Sequence, residues 1–96
     1  MTRESASEKS IEQYLREQVR ALGGRTLKLE PSNAKGVPDR LVILPLGRIA
    51  FVELKRPTGG VLAPLQAEWK WWLETNGHRS VVLSTKAEID QFLKVL

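Results

Sequence analysis

The chain contains no cysteine and a single histidine, His78. Without cysteine there is neither a disulfide framework nor a thiolate metal site, and one histidine cannot build a His-cluster zinc centre or a histidine-metal nuclease. No apolar run approaches the roughly 20 residues of a membrane-spanning helix, and the polar N-terminus has no signal-peptide pattern. No membrane partner is therefore expected, and the cytoplasm is the expected compartment. Internal repeats, low-complexity segments and any sign of a second domain are missing too, so residues 1–96 are read as a single domain. No organic cofactor is expected.

What is present is enough for one modest core. The hydrophobic fraction of 42% suits a globular fold and argues against disorder. Fifteen basic residues against eleven acidic give a net charge of +4, an excess compatible with nucleic acid. Distribution says more than the total, because Arg25, Lys28, Lys35, Arg40, Lys55 and Arg56 crowd one segment. The plain alternative for such a segment is a solvated basic surface.

Periodicity gives the elements. Ser5 with Glu8 reads as a capping box, followed by Ile11, Leu15, Val19 and Leu22 at helical spacing and by Gly23-Gly24 as the stop. Arg25–Glu30 reads as a strand closed by Pro31. Arg40–Leu44 and Ile49–Lys55 read as a hairpin turning through Pro45-Leu46-Gly47-Arg48, with Ala50, Val52 and Leu54 on its buried face. Pro64 opens a second helix running to about Asn76-Gly77, with Leu65, Trp69, Trp72 and Leu73 as its apolar stripe. Trp69 and Trp72 are expected in the core; Trp71, off the stripe, is read as a dimer contact, with base stacking and plain surface exposure as the alternatives. Arg79–Ser84 is expected as an interior strand. Thr85 with Glu88 caps a last helix that buries Ile89, Phe92, Leu93 and Leu96. The order α-β-β-β-α-β-α predicts an α/β (α+β) fold, a mixed sheet flanked by helices.

The stretch from Gly36 to Lys55 carries the chemistry. It holds Pro38-Asp39, the hairpin, and then Glu53-Leu54-Lys55. A strand sends alternate side chains to opposite faces, so Glu53 and Lys55 project on the same side. Two carboxylates and an ammonium in one small volume are costly unless a cation and a phosphate belong there. Hard divalent cations such as Mg²⁺ or Mn²⁺ take oxygen ligands. Asp39, Glu53 and the backbone carbonyl of Leu54 are the candidate ligands, with Lys55 placed to orient or deprotonate water or to stabilise charge on a pentavalent phosphate.

Two registers of the hairpin decide whether this holds. Leu44 opposite Ile49 sets Arg40 across from Glu53, whereas Ile43 opposite Ile49 sets Asp39 there; the catalytic reading needs the second, or a bulge. An isolated Glu-x-Lys is weak, arising by chance in about a third of chains this long. A Pro-Asp at hairpin spacing makes it far less accidental. The alternative is a cross-strand ion pair, Arg40 with Glu53 or Asp39 with Lys55.

These segments resemble a known family. Gly36-Val37-Pro38-Asp39-Arg40, Phe51-Val52-Glu53-Leu54-Lys55 and Leu62-Ala63-Pro64-Leu65-Gln66 are similar to the VRR-NUC branch of the PD-(D/E)xK nuclease superfamily. The resemblance spans nearly the whole chain. It implies a restriction-endonuclease-like αβββαβ core in a stand-alone domain of virus or bacterium type, working in a bacterial or phage-infected cell. By resemblance, Asp39 and Glu53 bind Mg²⁺ or Mn²⁺, Lys55 serves the attacking water, and Gln66 positions phosphate or water. A helix-one carboxylate, Glu12 with Glu8 in reserve, joins the catalytic set and is a further metal-ligand candidate. Lys28, Lys35, Arg40, Arg56 and Lys70 are candidates for contacting nucleic acid.

The implied activity is metal-dependent cleavage of branched DNA, as a Holliday-junction resolvase acting as a homodimer. A flap or nicking nuclease, a catalytically idle DNA-binding subunit of a recombination or phage complex, and a pure interaction module are the alternatives.

Overall fold

The computed structural model describes residues 7–30, 34–58 and 60–96. The element order is α1 (Glu8–Ala21), β1 (Arg25–Lys28), β2 (Arg40–Leu44), β3 (Arg48–Leu54), α2 (Pro64–Thr75), β4 (Ser80–Leu83) and α3 (Lys86–Val95). This is the expected order. Helix α1 starts from Ser7, whose side chain accepts a hydrogen bond from the Ser10 N–H at 3.0 Å. Ser5, read as its cap, lies outside the described residues, as does Pro31. Thr85 and Glu88 form the expected capping box of α3.

The four strands lie in the order β1-β2-β3-β4, antiparallel except for the parallel β3/β4 pair. β4 is therefore an edge strand, not the interior strand its apolar run predicted. The run is explained by cover instead: β4 follows the α2 crossover and leads straight into α3, so helices shield it where a neighbouring strand does not.

The core fills one side of the sheet. Ile11, Leu15 and Val19 of α1 and Ile89, Phe92 and Leu93 of α3 pack with Val42, Leu44, Ala50, Val52 and Leu54. Tyr14 ties the two helices together by donating to Asp90 Oδ1 at 2.7 Å. Such packing of one amphipathic face, more than helix propensity, is what holds helices this short.

Helix α2 lies across the opposite face, and it is sparsely packed. Only Leu73 is buried within it. Trp72 is 46% exposed and Leu65 50%, so only the Leu73 and Trp69 part of the expected α2 stripe turns inward; Trp71, off the stripe, is exposed as well. Trp69 is half-buried and donates its indole N–H to the Lys35 carbonyl at 3.1 Å. The stripe rule fails here because a helical period shows which residues share a face, not whether anything covers that face.

The hairpin adopts the second register: Ile43 pairs with Ile49 and Leu44 with Arg48. Leu46 and Gly47 both have positive φ, 69° and 74°, the left-handed backbone a tight hairpin loop requires. Arg48 belongs to β3, so the loop is the three residues Pro45 to Gly47 and not the expected four. That one-residue difference sets the ladder and decides what stands opposite Glu53.

Candidate active site

Antiparallel pairing brings the start of β2 and the end of β3 to one end of the sheet. Asp39 immediately precedes β2, and the ladder that pairs Arg40 with Val52 continues to Asp39 beside Glu53. Asp39 is locked at both ends. Its carbonyl accepts from the Leu29 N–H at 2.8 Å, and its Oδ2 accepts from the Leu54 N–H at 2.8 Å. The preceding loop reaches α2 through Gly36, which has φ +87°, and a Cβ there would sit 2.6 Å from the Leu65 carbonyl carbon. Both conformation and space require glycine at this position.

Glu53 is buried, on the α2 face of β3. Its Oε2 accepts from Gln66 Nε2 at 2.9 Å and lies 3.5 Å from Lys55 Nζ. Its Oε1 is buried without a hydrogen-bond partner. Gln66 is itself fixed, because its Oε1 accepts from the Ala63 N–H at 2.8 Å at the start of α2. Burial, reinforced by the neighbouring charge of Asp39, pushes the Glu53 carboxyl up to about 7, and Lys55 pulls the other way. The sheet thus brings together Asp39, Glu53, Lys55 and Gln66. Neither of the cross-strand pairs Arg40–Glu53 and Asp39–Lys55 forms.

Glu12 is placed differently. Arg40 shares the core face of β2 with Val42 and Leu44, is itself buried, and reaches α1, where it pairs with Glu12. The hydrogen bond and charge of Arg40 hold the Glu12 carboxyl below its ordinary value against the opposing effect of burial. Among the described residues, no three Asp, Glu, His or Cys side chains cluster as a metal-binding group. Glu12 and Glu8 nevertheless line a hollow shared with Asp39 and Leu54.

The basic candidates scatter. Lys28, on β1, and Lys35 are exposed, while Arg56 is exposed with its Nε donating to the Thr58 carbonyl at 2.9 Å. Lys70 is occupied by Glu74 Oε2 at 2.6 Å and the Ser80 carbonyl at 3.0 Å. Sequence reading missed the Leu54 N–H as partner of Asp39 and Glu12 as partner of Arg40. The first has no sequence signal; the second had one, a Glu at the edge of the α1 stripe.

No protein-family model matches the chain. It is 43% identical over 79 residues to Putative nuclease p44 of Acyrthosiphon pisum secondary endosymbiont phage 1, a match spanning 82% of this chain and 84% of that protein. A solved structure described as a VRR_NUC domain superimposes with a TM-score of 0.85 at 31% identity, over 93% of this chain and 97% of that one. The chain belongs to the VRR-NUC nuclease family. A second solved structure, a VRR_NUC domain protein, gives a TM-score of 0.76 at 14% identity over 97% of this chain and 89% of its own, and speaks for the fold alone. The mixed sheet with its flanking helices is thus the VRR-NUC architecture. Among the described residues, no helix of this VRR-NUC domain is long and apolar enough to cross a membrane.

Proposed function

We propose that the protein is a divalent-metal-dependent endonuclease that cleaves branched DNA, resolving four-way junctions as a homodimer. One observation carries the metal reading: Glu53 Oε1 is buried without a hydrogen-bond partner near the Asp39 carboxylate, while Oε2 lies 3.5 Å from Lys55 Nζ. Leaving a carboxylate oxygen in that state is expensive unless a proton or a cation completes it. The donor set is all oxygen (Asp39, Glu53 and the Leu54 carbonyl), which fits Mg²⁺ or Mn²⁺ and suits neither zinc nor a soft metal. When bound, such an ion supplies a Lewis acid and an acidified water for phosphodiester hydrolysis.

The protein's own groups have separable roles. Asp39, braced by the Leu54 N–H, holds one carboxylate rigidly at the mouth of the site. Gln66 orients Glu53 through Nε2 and is anchored through Oε1, so its amide cannot turn freely. Lys55 is placed to accept or steady the proton of the attacking water and to offset charge developing on phosphate.

The homodimer reading is supported by the exposed apolar side chains of α2. Leu65 and Trp72 on its stripe and Trp71 beside it expose half or nearly half of their surface or more, a concentration of large apolar side chains typical of an interface. The test is cleavage of a four-way junction, a flap and a linear duplex side by side, in Mg²⁺, in Mn²⁺ and in EDTA. Metal-dependent paired cuts in the junction are expected. Preferential flap cutting would reassign the substrate, and no cutting with junction binding retained would point to an idle subunit.

A further inference from the structure

A second feature lies on the far side of Arg40 from the carboxylates. Between the C-terminal half of α1 and β1 runs an open groove of about 790 Å³, lined by Arg16, Arg20, Arg25 and Arg40 over a Gly23-Gly24 floor. Arg16 and Arg20 stand one helical turn apart on α1, so both guanidinium groups lean over the same wall. Arg25 enters from the opposite wall on β1. The floor is close-packed, since a Cβ at Gly24 would lie 2.5 Å from the Ile43 carbonyl oxygen.

Among the described residues, Arg40 is the one arginine of this groove in an ion pair, with Glu12. Arg16, Arg20 and Arg25 are exposed and join no salt bridge. Glu17, their neighbour on α1, instead accepts from Gln13 at 3.1 Å. Arg16, Arg20 and Arg25 concentrate positive charge along one hollow, an arrangement that suits an anion shared among them.

The groove adjoins the site across Arg40. Arg40 lines both it and the hollow that holds Asp39 and Leu54, where Lys9 and Lys28 add positive charge and Glu8 and Glu12 offset part of it. Lys28 stands opposite Arg40 in the β1/β2 ladder, so the two side chains share the face toward α1, while Arg25 lines the groove from the other end of this edge strand.

We propose that the α1–β1 groove is a DNA-backbone track leading to the carboxylate site, with Arg16, Arg20 and Arg25 contacting phosphates along it and Lys28 lining the hollow beyond Arg40. The proposal rests on the reading of the protein as a DNA-cleaving enzyme and names where that DNA lies. The contacts are sequence-independent: arginines in a fixed row position a strand without reading bases. The remaining basic candidates, Lys35, Arg56 and Lys70, do not line this groove, so the track is carried chiefly by residues of the first helix and the edge strand.

The test is anisotropy titration of a fluorescein-labelled synthetic four-way junction, in EDTA so that no cutting occurs, between 50 and 200 mM KCl. Wild type is compared with the triple variant Arg16→Ala, Arg20→Ala, Arg25→Ala; all three residues are exposed, so circular dichroism should report an unchanged fold. The slope of log affinity against log salt should shrink by about 2.7, at about 0.9 for each lost phosphate contact. Equivalently, raising salt fourfold should weaken wild type about 40-fold more than the variant. The corresponding triple lysine variant should recover most of the slope, because the charges return.

If wild type binds the junction and the alanine variant matches it in affinity and slope, the groove is not the track and the nuclease reading stands. If wild type shows no salt-dependent binding to junction or duplex, the DNA reading fails and the groove falls with it.

Discussion

The Oδ2 atom of Asp39 accepts a hydrogen bond from the Leu54 backbone N–H at 2.8 Å. This contact joins the residue before β2 to the residue between Glu53 and Lys55. It fixes the spacing of the site and gives Asp39 a structural duty beside any chemical one. Asp39→Ala should leave a part-buried N–H unpaired and destabilise the fold by about 1–2 kcal/mol, lowering the melting temperature by about 4–16 °C. Asp39→Asn keeps an acceptor and should melt within a few degrees of wild type while losing cleavage. Equal melting of the two variants would show that the bond contributes nothing.

Glu53 makes the metal-free protein pH-sensitive. Its carboxyl is raised from 4.5 to about 7 on folding, so between those values the native chain holds a proton that the unfolded chain has released. Stability should therefore fall as pH rises through this window, by up to about 3 kcal/mol. Melting in EDTA at pH 5.5 and pH 8 measures it. Glu53→Gln should flatten the difference and abolish cleavage, while Mg²⁺ should stabilise wild type more at pH 8 than at pH 5.5. An unchanged pH profile in the glutamine variant would remove the assignment.

Lys55 stands close to Glu53 Oε2, at 3.5 Å, where a proton-handling role affects rate more than affinity. Lys55→Ala should slow single-turnover cleavage by about 10²–10⁴-fold and leave junction affinity within a few-fold. An affinity loss matching the rate loss would make Lys55 a phosphate anchor instead.

The pair between Arg40 and Glu12 separates two roles for Glu12. Arg40 is buried and Glu12 partly exposed, with side-chain exposures of 8% and 29%. Glu12→Ala strands a buried guanidinium and should cost about 1–3 kcal/mol, below the figure for a fully buried pair because water reaches the carboxylate. Glu12→Gln should restore most of that stability. Cleavage that recovers with it would make Glu12 a positioning residue; cleavage that stays lost would make it catalytic.

For the exposed helix, Trp71→Ser combined with Trp72→Ser should convert a dimer to a monomer in light scattering. Trp71 and Trp72 are 62% and 46% exposed, so folding should survive. A dimer of unchanged affinity would place the interface elsewhere.

The sequence by itself determined the element order, the buried face of β3 at Ala50, Val52 and Leu54, and the shared side of Glu53 and Lys55. These follow from periods of two and 3.6 residues, which are properties of the local backbone. It also carried the candidate site residues, through the Pro-Asp and Glu-x-Lys segments and their resemblance to a family.

Tertiary structure alone decided the rest. The register turned on whether Arg48 belongs to the loop or to β3, and on two positive φ angles at Leu46 and Gly47, a choice between near-equal ladders that no periodicity encodes. Likewise, the exposure of Trp72 and Leu65, the edge position of β4 and the pairing of Arg40 with Glu12 depend on what lies against a face. Local pattern reveals that a face exists, and only the packed chain shows what covers it.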